Sequence, residues 1–325
     1  MSQKVENNNF YEDYEHLIPP IVKEIRDNAA DKERIEFIRK PKFIRHSKAE
    51  AMFKMLDELY YAPREDRMQS YLFAGDGNMG KTYTIKRYAK MKNNQDDLND
   101  IQTKIPVLYA LAPVKANYKV LYDNILTALQ VPFRTTDSDT QKEVKIATYI
   151  EDFQVKMLII DEIHNGLTGS ANQQKEFTNA IKNLSNILRI PIVLVGVGEA
   201  VSLVDRDHQL KSRFKPIKIK NWEIDNEFIA FLKSIEITLP LKEKSYIFAD
   251  EKFITKIHQV TNGITGDVIS IINKMAIRAI EKKKEKIDIK LFNEIDYITV
   301  DNSKIYAQEG STLQGEMNCN IIILQ

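Results

Sequence analysis

The chain carries one cysteine, Cys319, among 325 residues. A single thiol excludes an internal disulfide framework and a multi-cysteine zinc site, and it suits a reducing cytosol, so a cytoplasmic protein is expected. Long apolar runs are also missing. The longest fall far short of the roughly 18 residues that a membrane-spanning helix needs, so no membrane partner is expected. The amino terminus is polar and acidic and lacks the basic and apolar regions of a signal peptide. Neither sign of charge dominates: 47 basic against 46 acidic side chains give +1. No global basic field advertises nucleic acid, and DNA binding must rest on a local patch. His16, His46, His208 and His258 show no metal-ligand spacing, and His164 reads as a loop residue. What remains is an ordinary globular composition with room for one large domain or two smaller ones.

Residues 1–33, with Asn7-Asn8-Asn9 and a Pro19-Pro20 break, read as a flexible arm. Met52, Phe53, Met55, Leu56 and Leu59 predict a helix over Ala49–Tyr60, stopped by Pro63. Four apolar runs then read as strands: Tyr71–Ala74, Val107–Leu111, Met157–Ile160 and Ile192–Val197. A fifth, Ile217–Lys220, is weaker. Helical stretches lie between them, the clearest being Glu176–Leu188 with Phe177, Ile181, Leu184 and Leu188 on one face. Alternating strands and helices predict an α/β domain over 34–222, with a five-stranded, mainly parallel sheet covered on both sides. After Trp222 the pattern turns helical. Phe228, Phe231, Leu232 and Ile235 fit one helix, Phe253, Ile254 and Ile257 a second, and Val268, Ile271, Ile272, Met275 and Ala279 a third. A small all-helical lid domain is therefore expected over 223–300, and a tail over 301–325.

Gly75-Asp76-Gly77-Asn78-Met79-Gly80-Lys81-Thr82 matches G-x-x-x-x-G-K-[ST] in full, after a strand and before a helix. Such a loop wraps phosphates with successive backbone N–H groups and a helix N-terminus, and Tyr83 follows it directly. Lys81 would reach the β- and γ-phosphates of ATP, and the Thr82 hydroxyl would coordinate Mg²⁺. Met157–Ile160 ends in Asp161-Glu162, about 80 residues beyond the loop. Asp161 would hold Mg²⁺ through water, and Glu162 would orient or deprotonate the attacking water, which argues for hydrolysis over nucleotide storage. Arg213, in Ser212-Arg213-Phe214, would project onto the γ-phosphate of a neighbouring subunit. The other reading is a surface arginine in the basic stretch Lys211, Arg213, Lys215. For DNA phosphates the candidates are Lys115, Tyr118 and Lys119 at a helix start, against a plain solvated helix end.

These residues together resemble the AAA+ ATPases, and more closely the TniB/TnsC-type ATP-binding proteins of transposons. The closer likeness starts upstream of the phosphate loop, at Arg34-Ile35, Ile38, Pro41, Phe43-Ile44, Pro63 and Arg67-Met68. It continues through Leu121–Leu126, Ile160–His164, Val195–Ala200 and Gln209–Phe214. The resemblance implies an ATP-dependent ring or helical filament on double-stranded DNA. It implies partners too, a TniQ-like target-selection protein and a DDE-type transposase, with hydrolysis resetting the assembly. Two positions depart from the pattern. Val197 stands where a polar residue often senses the γ-phosphate. Gly266-Asp267 is followed by Val268 where an arginine is common, and Arg278 lies too far along the helix to replace it. Both departures imply slow hydrolysis, suited to a switch whose ATP state persists. The alternatives are an origin-type or helicase-loading AAA+ protein, which would add a DNA-reading domain, a nucleotide-switched signalling module, and a small-molecule P-loop kinase.

Overall fold

The computed structural model describes residues 13–94 and 104–293. Asn7–Asn9, Cys319 and the 301–325 tail lie outside them. A helical turn at Glu15–Leu17 precedes α1 (Pro20–Asn28), α2 (Asp31–Arg39) and α3 (Ser47–Tyr60). β1 (Ser70–Gly75) leads through the glycine-rich loop into α4 (Lys81–Asn93). There follow β2 (Val107–Leu111), α5 (Tyr118–Ala128), α6 (Asp139–Asp152) and β3 (Met157–Asp161). A 3-10 turn at Ile163–Leu167 opens the run α7 (Ala171–Leu188), β4 (Ile192–Gly196), α8 (Ala200–Asp205), α9 (His208–Lys211) and β5 (Phe214–Ile219). The last described elements are α10 (Asn226–Glu236), α11 (Glu251–Thr261), α12 (Thr265–Glu281) and α13 (Ile289–Asn293).

The five strands form one parallel sheet in the order β2-β3-β4-β1-β5. Side chains alternate across it as strand geometry requires. Leu72, Ala74, Leu108, Ala110, Leu158, Ile160 and Leu194 pack against α5, α6 and α7. Tyr71, Phe73, Val107, Met157, Ile159, Val193 and Val195 pack against α3 and α4. The fifth strand starts earlier than the Ile217–Lys220 reading: Phe214 is already paired beside Ser70 and is fully buried. Pro216 obscures that start, because proline fits only an edge strand, and β5 is an edge. Similarly, α7 begins five residues before Glu176. Ser170 and Gln173 form a reciprocal capping box that starts the helix ahead of its apolar stripe.

A separate core joins α10–α13 to the amino-terminal segment. Tyr14, Ile18, Val22, Ile38 and Ile44 are buried with Trp222, Phe231, Ile272 and Met275. Residues 13–33, read from sequence as part of an arm, therefore fold onto the helical unit. Pro20 does not break the chain here; it occupies the first turn of α1, where its missing N–H costs nothing. Two polar anchors, silent in a hydrophobicity reading, fix the segment. The Glu236 carboxylate accepts the Tyr14 hydroxyl and the N–H groups of Ser245, Tyr246 and Ile247. Arg34, fully buried, donates to the Pro240 carbonyl and pairs with Glu285 and Asp31.

His46 sits between the two units. Its Nδ1 caps α3 by accepting the Ala49 N–H at 3.1 Å, and its ring stands edge-on to Trp222 and Phe231. Burial, reinforced by Lys48, pushes its pKa down to about 4. A folded pKa below the unfolded value makes the stabilisation complete above about 6.5 and lost as pH falls towards 4. The melting temperature is therefore expected to fall between pH 7 and 4.5. His46→Asn, which keeps a capping side chain without the titration, should lose less. Identical pH slopes in thermal melts of the two proteins would contradict this assignment.

Candidate nucleotide-binding site

β1 lies between β4 and β5, yet the chain leaves it for β2 at the far edge of the sheet. Connections thus diverge above the carboxyl ends of β1 and β4, which is where parallel sheets open a crevice. A cleft of about 320 Å³ lies there, lined by Gly77–Tyr83 and Lys86 of the loop and α4, by Asp161 and Glu162 at the end of β3, and by Gly196 and Val197 at the end of β4. Sequence-distant motifs are thereby brought to one place: Gly77, Asn78, Met79, Gly80, Lys81, Thr82 and Tyr83 face Asp161 and Glu162.

Gly80 turns the loop into α4 with φ +76°, a backbone that side-chain-bearing residues rarely adopt. Buried Lys81 reaches back over the loop, its ammonium donating to the carbonyls of Gly75 (2.9 Å) and Asp76 (2.7 Å). Burial pulls its pKa below the ordinary lysine value, against the opposing pull of Asp161, Glu162 and Asp76. An anionic ligand would relieve that strain on the charge. Asp161 is buried and Glu162 half-exposed. Glu162 has a left-handed backbone, φ 58° and ψ 33°, which costs of order 1–3 kcal/mol and turns its carboxylate out of the strand's line. His164, passed over in the sequence, places Nδ1 3.4 Å from Glu162 Oε2.

The donor set suits magnesium. A threonine hydroxyl and one carboxylate are hard oxygen ligands, and Mg²⁺ is commonly held by one or two carboxylates, substrate phosphates and water. Among the described residues no cluster of three or more His, Cys, Asp or Glu is placed to hold a metal by itself. Two side chains near this donor set carried no sequence motif. Tyr109 on β2 donates its hydroxyl to Asp161 Oδ2 at 2.9 Å, and Lys86 on α4 lies 5.0 Å above the Tyr109 ring. Burial, together with the adjacent Asp161 charge, pushes the phenol pKa up, so it remains a donor.

The loop also touches the helical unit. Gly266 N–H donates to the Asn78 carbonyl at 2.9 Å, and Asn78 Nδ2 donates to Asp267 Oδ1 at 2.7 Å. A Cβ on Gly266 would meet the Asn78 carboxamide at 2.1 Å, so any larger residue there would push that side chain from its place against Asp267. Trp222 continues the contact, its Nε1 donating to Thr265 Oγ1 at 3.0 Å. Arg278 sits in the last turn of α12, beside Glu281, at the end remote from this contact.

Arg213 is not in the cleft of its own chain. Its carbonyl accepts the Ser70 N–H, which places it at the amino-terminal end of β1, opposite the loop. Its guanidinium donates to Ser185 Oγ and to Asn186 Oδ1, while buried Nε has no partner. The three DNA candidates are separated in role. Tyr118 donates to Asp139 Oδ2 at 2.7 Å and Lys119 lies 3.8 Å from the same carboxylate, so both lean on α6. Lys115 remains exposed beside Val114, itself 81% exposed.

Sheet order, phosphate loop and the Asp161-Glu162 pair define a P-loop ATPase of the AAA+ class. The family model for bacterial TniB protein matches residues 34–224, more than half of the chain, and the protein belongs to the TniB family. Its fold is shared with solved structures at low identity. The ORC2 protein of Aeropyrum pernix, in ADPNP–ADP complexes, matches with a TM-score of 0.55 at 14% identity, over 80% of this chain and 70% of that one. The ORC1 protein of Aeropyrum pernix in complex with DNA gives 0.55 at 13% identity, over 79% and 67%. A Walker-type ATPase of Pyrococcus abyssi gives 0.52 at 14% identity, over 84% and 77%. No curated protein matches the chain. Among the described residues no helix is long and apolar enough to cross a membrane.

Proposed function

We propose that this TniB-family chain is an ATP-dependent regulator of DNA transposition. In this reading it assembles with ATP on double-stranded target DNA, as a ring or filament. It links a TniQ-like target-selection protein to a DDE-type transposase, and it comes apart when ATP is hydrolysed. Bound Mg²⁺ would neutralise phosphate charge and hold water. The chain's own residues supply the rest: Lys81 and the loop N–H groups grip the phosphates, Thr82 and Asp161 hold the metal, and Glu162 takes the proton of the attacking water.

The observation that carries the reading is the separation of Arg213 from the cleft of its own chain. A guanidinium with an unpartnered, buried Nε, pressed by burial and by neighbouring Arg67, is a cation short of an anion. The Arg213 side chain lies at the wrong end of its own sheet to meet its own γ-phosphate, so a second copy would bring it one. That arrangement is heterologous, head to tail, and such interfaces build rings or helical filaments. The contact of Asn78 with Gly266 and Asp267 supports a lid role for the helical unit, since a ligand in the loop acts directly on α12. Val197 and the absence of an arginine after Asp267 support slow turnover.

Electron microscopy with double-stranded DNA and ATP, a slowly hydrolysed analogue or ADP tests this. Assemblies should need the triphosphate and dissolve with ADP; discrete particles in every state would overturn the transposition-switch reading. Lys81→Ala should weaken nucleotide binding by roughly 10²–10³-fold, because it removes a buried charge partner of the phosphates, and should abolish assembly with it. Assembly on DNA that survives the loss of nucleotide binding would break the link between the two.

A further inference from the structure

Parallel pairing sets Leu111 beside Asp161 and Tyr109 beside Ile159, so Tyr109 and Asp161 project from the same face of the sheet, one strand and two residues apart. A tyrosine is long enough to lean along the strand and close that gap, which its hydroxyl does at 2.9 Å from Oδ2. The other oxygen, Oδ1, accepts the N–H of Glu162 at 2.8 Å. Both carboxylate oxygens of Asp161 are therefore pinned from within the protein. Each oxygen of an ionised carboxylate has two acceptor sites, so each keeps one for the cleft.

We propose that Tyr109 is the positioning residue that sets the Asp161 carboxylate for magnesium. The inference rests on the reading of the cleft as a Mg–nucleotide site. Tyr109 touches neither metal nor nucleotide in this scheme; it acts through Asp161. With one pin only, at Oδ1, the carboxylate can turn about its terminal torsion, a broad and soft rotation, and its free lone pairs no longer converge on one point. The second pin removes that freedom before the metal arrives. Lys86, above the ring, is attracted to its face and helps to hold it in place. Phenylalanine at 109 would keep the ring in its place between β2 and α4 while deleting only the hydroxyl.

Outer partners that orient a metal-holding carboxylate typically change metal affinity by 10–100-fold when removed. The test is equilibrium binding of a fluorescent ATP analogue to full-length wild type and Tyr109→Phe, first in EDTA and then across a Mg²⁺ series. A Mn²⁺ series read by electron paramagnetic resonance accompanies it. The expected result is equal affinity in EDTA, equal melting temperature in EDTA, and a half-saturating metal concentration raised about 10–100-fold in the variant. Metal dependence identical to wild type would overturn the role of Tyr109 while leaving the nucleotide site intact. Equal loss of affinity with and without metal would mean that the tyrosine only shapes the fold, and would overturn it too. Nucleotide binding by wild type that ignores the metal altogether would instead remove the underlying reading of the cleft, and the inference with it.

Discussion

Arg213→Ala is expected to lower DNA-stimulated ATP turnover by about 10³-fold or more, the range for loss of an arginine that neutralises transition-state charge on a transferred phosphoryl group. Its position at the far end of the sheet from its own loop makes the effect conditional on assembly. Nucleotide binding by isolated subunits should be unchanged, because no atom of Arg213 lines the cleft of its own chain. The native guanidinium is held by Ser185 and Asn186; its removal leaves exposed Asn186 to water and Ser185 still bonded to the Lys182 carbonyl, so little instability follows. Turnover measured with and without DNA, alongside nucleotide titration of dilute protein, separates the cases. Normal stimulated turnover would return Arg213 to the role of a surface arginine.

Glu162→Gln should act at the complementary half of the same site. General-base removal costs roughly 10²–10⁴-fold in rate, whereas glutamine keeps the size of the side chain and the left-handed backbone that aims it. Binding of ATP and assembly on DNA should persist, and the assemblies should outlast those of wild type because nothing resets them. A variant that turns over ATP at the wild-type rate would show that another group activates water, with His164, 3.4 Å from Glu162, the first to examine.

Much of this site could be read in the sequence because its chemistry is local. The loop needs glycines, a lysine and a threonine at fixed spacing, and Asp161-Glu162 must end an apolar strand; both are contiguous signals. The parallel sheet was legible for a related reason, since strands buried on both faces read as short apolar runs. What the sequence hid is what pairing and packing create. Tyr109 gains meaning only from the register of β2 on β3. The amino-terminal segment looked like an arm because what ties it down is far along the chain: Tyr14 meets Glu236, 222 positions on, and Arg34 meets the Pro240 carbonyl, 206 positions on. Pro20 read as an interruption, yet it occupies a helix start where a missing N–H is harmless, as Pro216 does on the edge strand β5. Tyr118 and Lys119 stood at a helix start in the sequence, which gave no sign that packing sets Asp139 of α6 beside them.

The most direct test mixes the two defective proteins. Glu162→Gln keeps Arg213 and Arg213→Ala keeps Glu162, so each is inactive alone for a different reason. In an assembly that joins copies head to tail, about one interface in four of an equal mixture pairs an intact Glu162 with an intact Arg213 from the next copy. DNA-stimulated turnover is measured for each protein alone and for the mixture at constant total concentration. The account predicts that the mixture recovers about a quarter of wild-type turnover. A mixture no more active than its components would contradict it, because the site would then not be shared between copies.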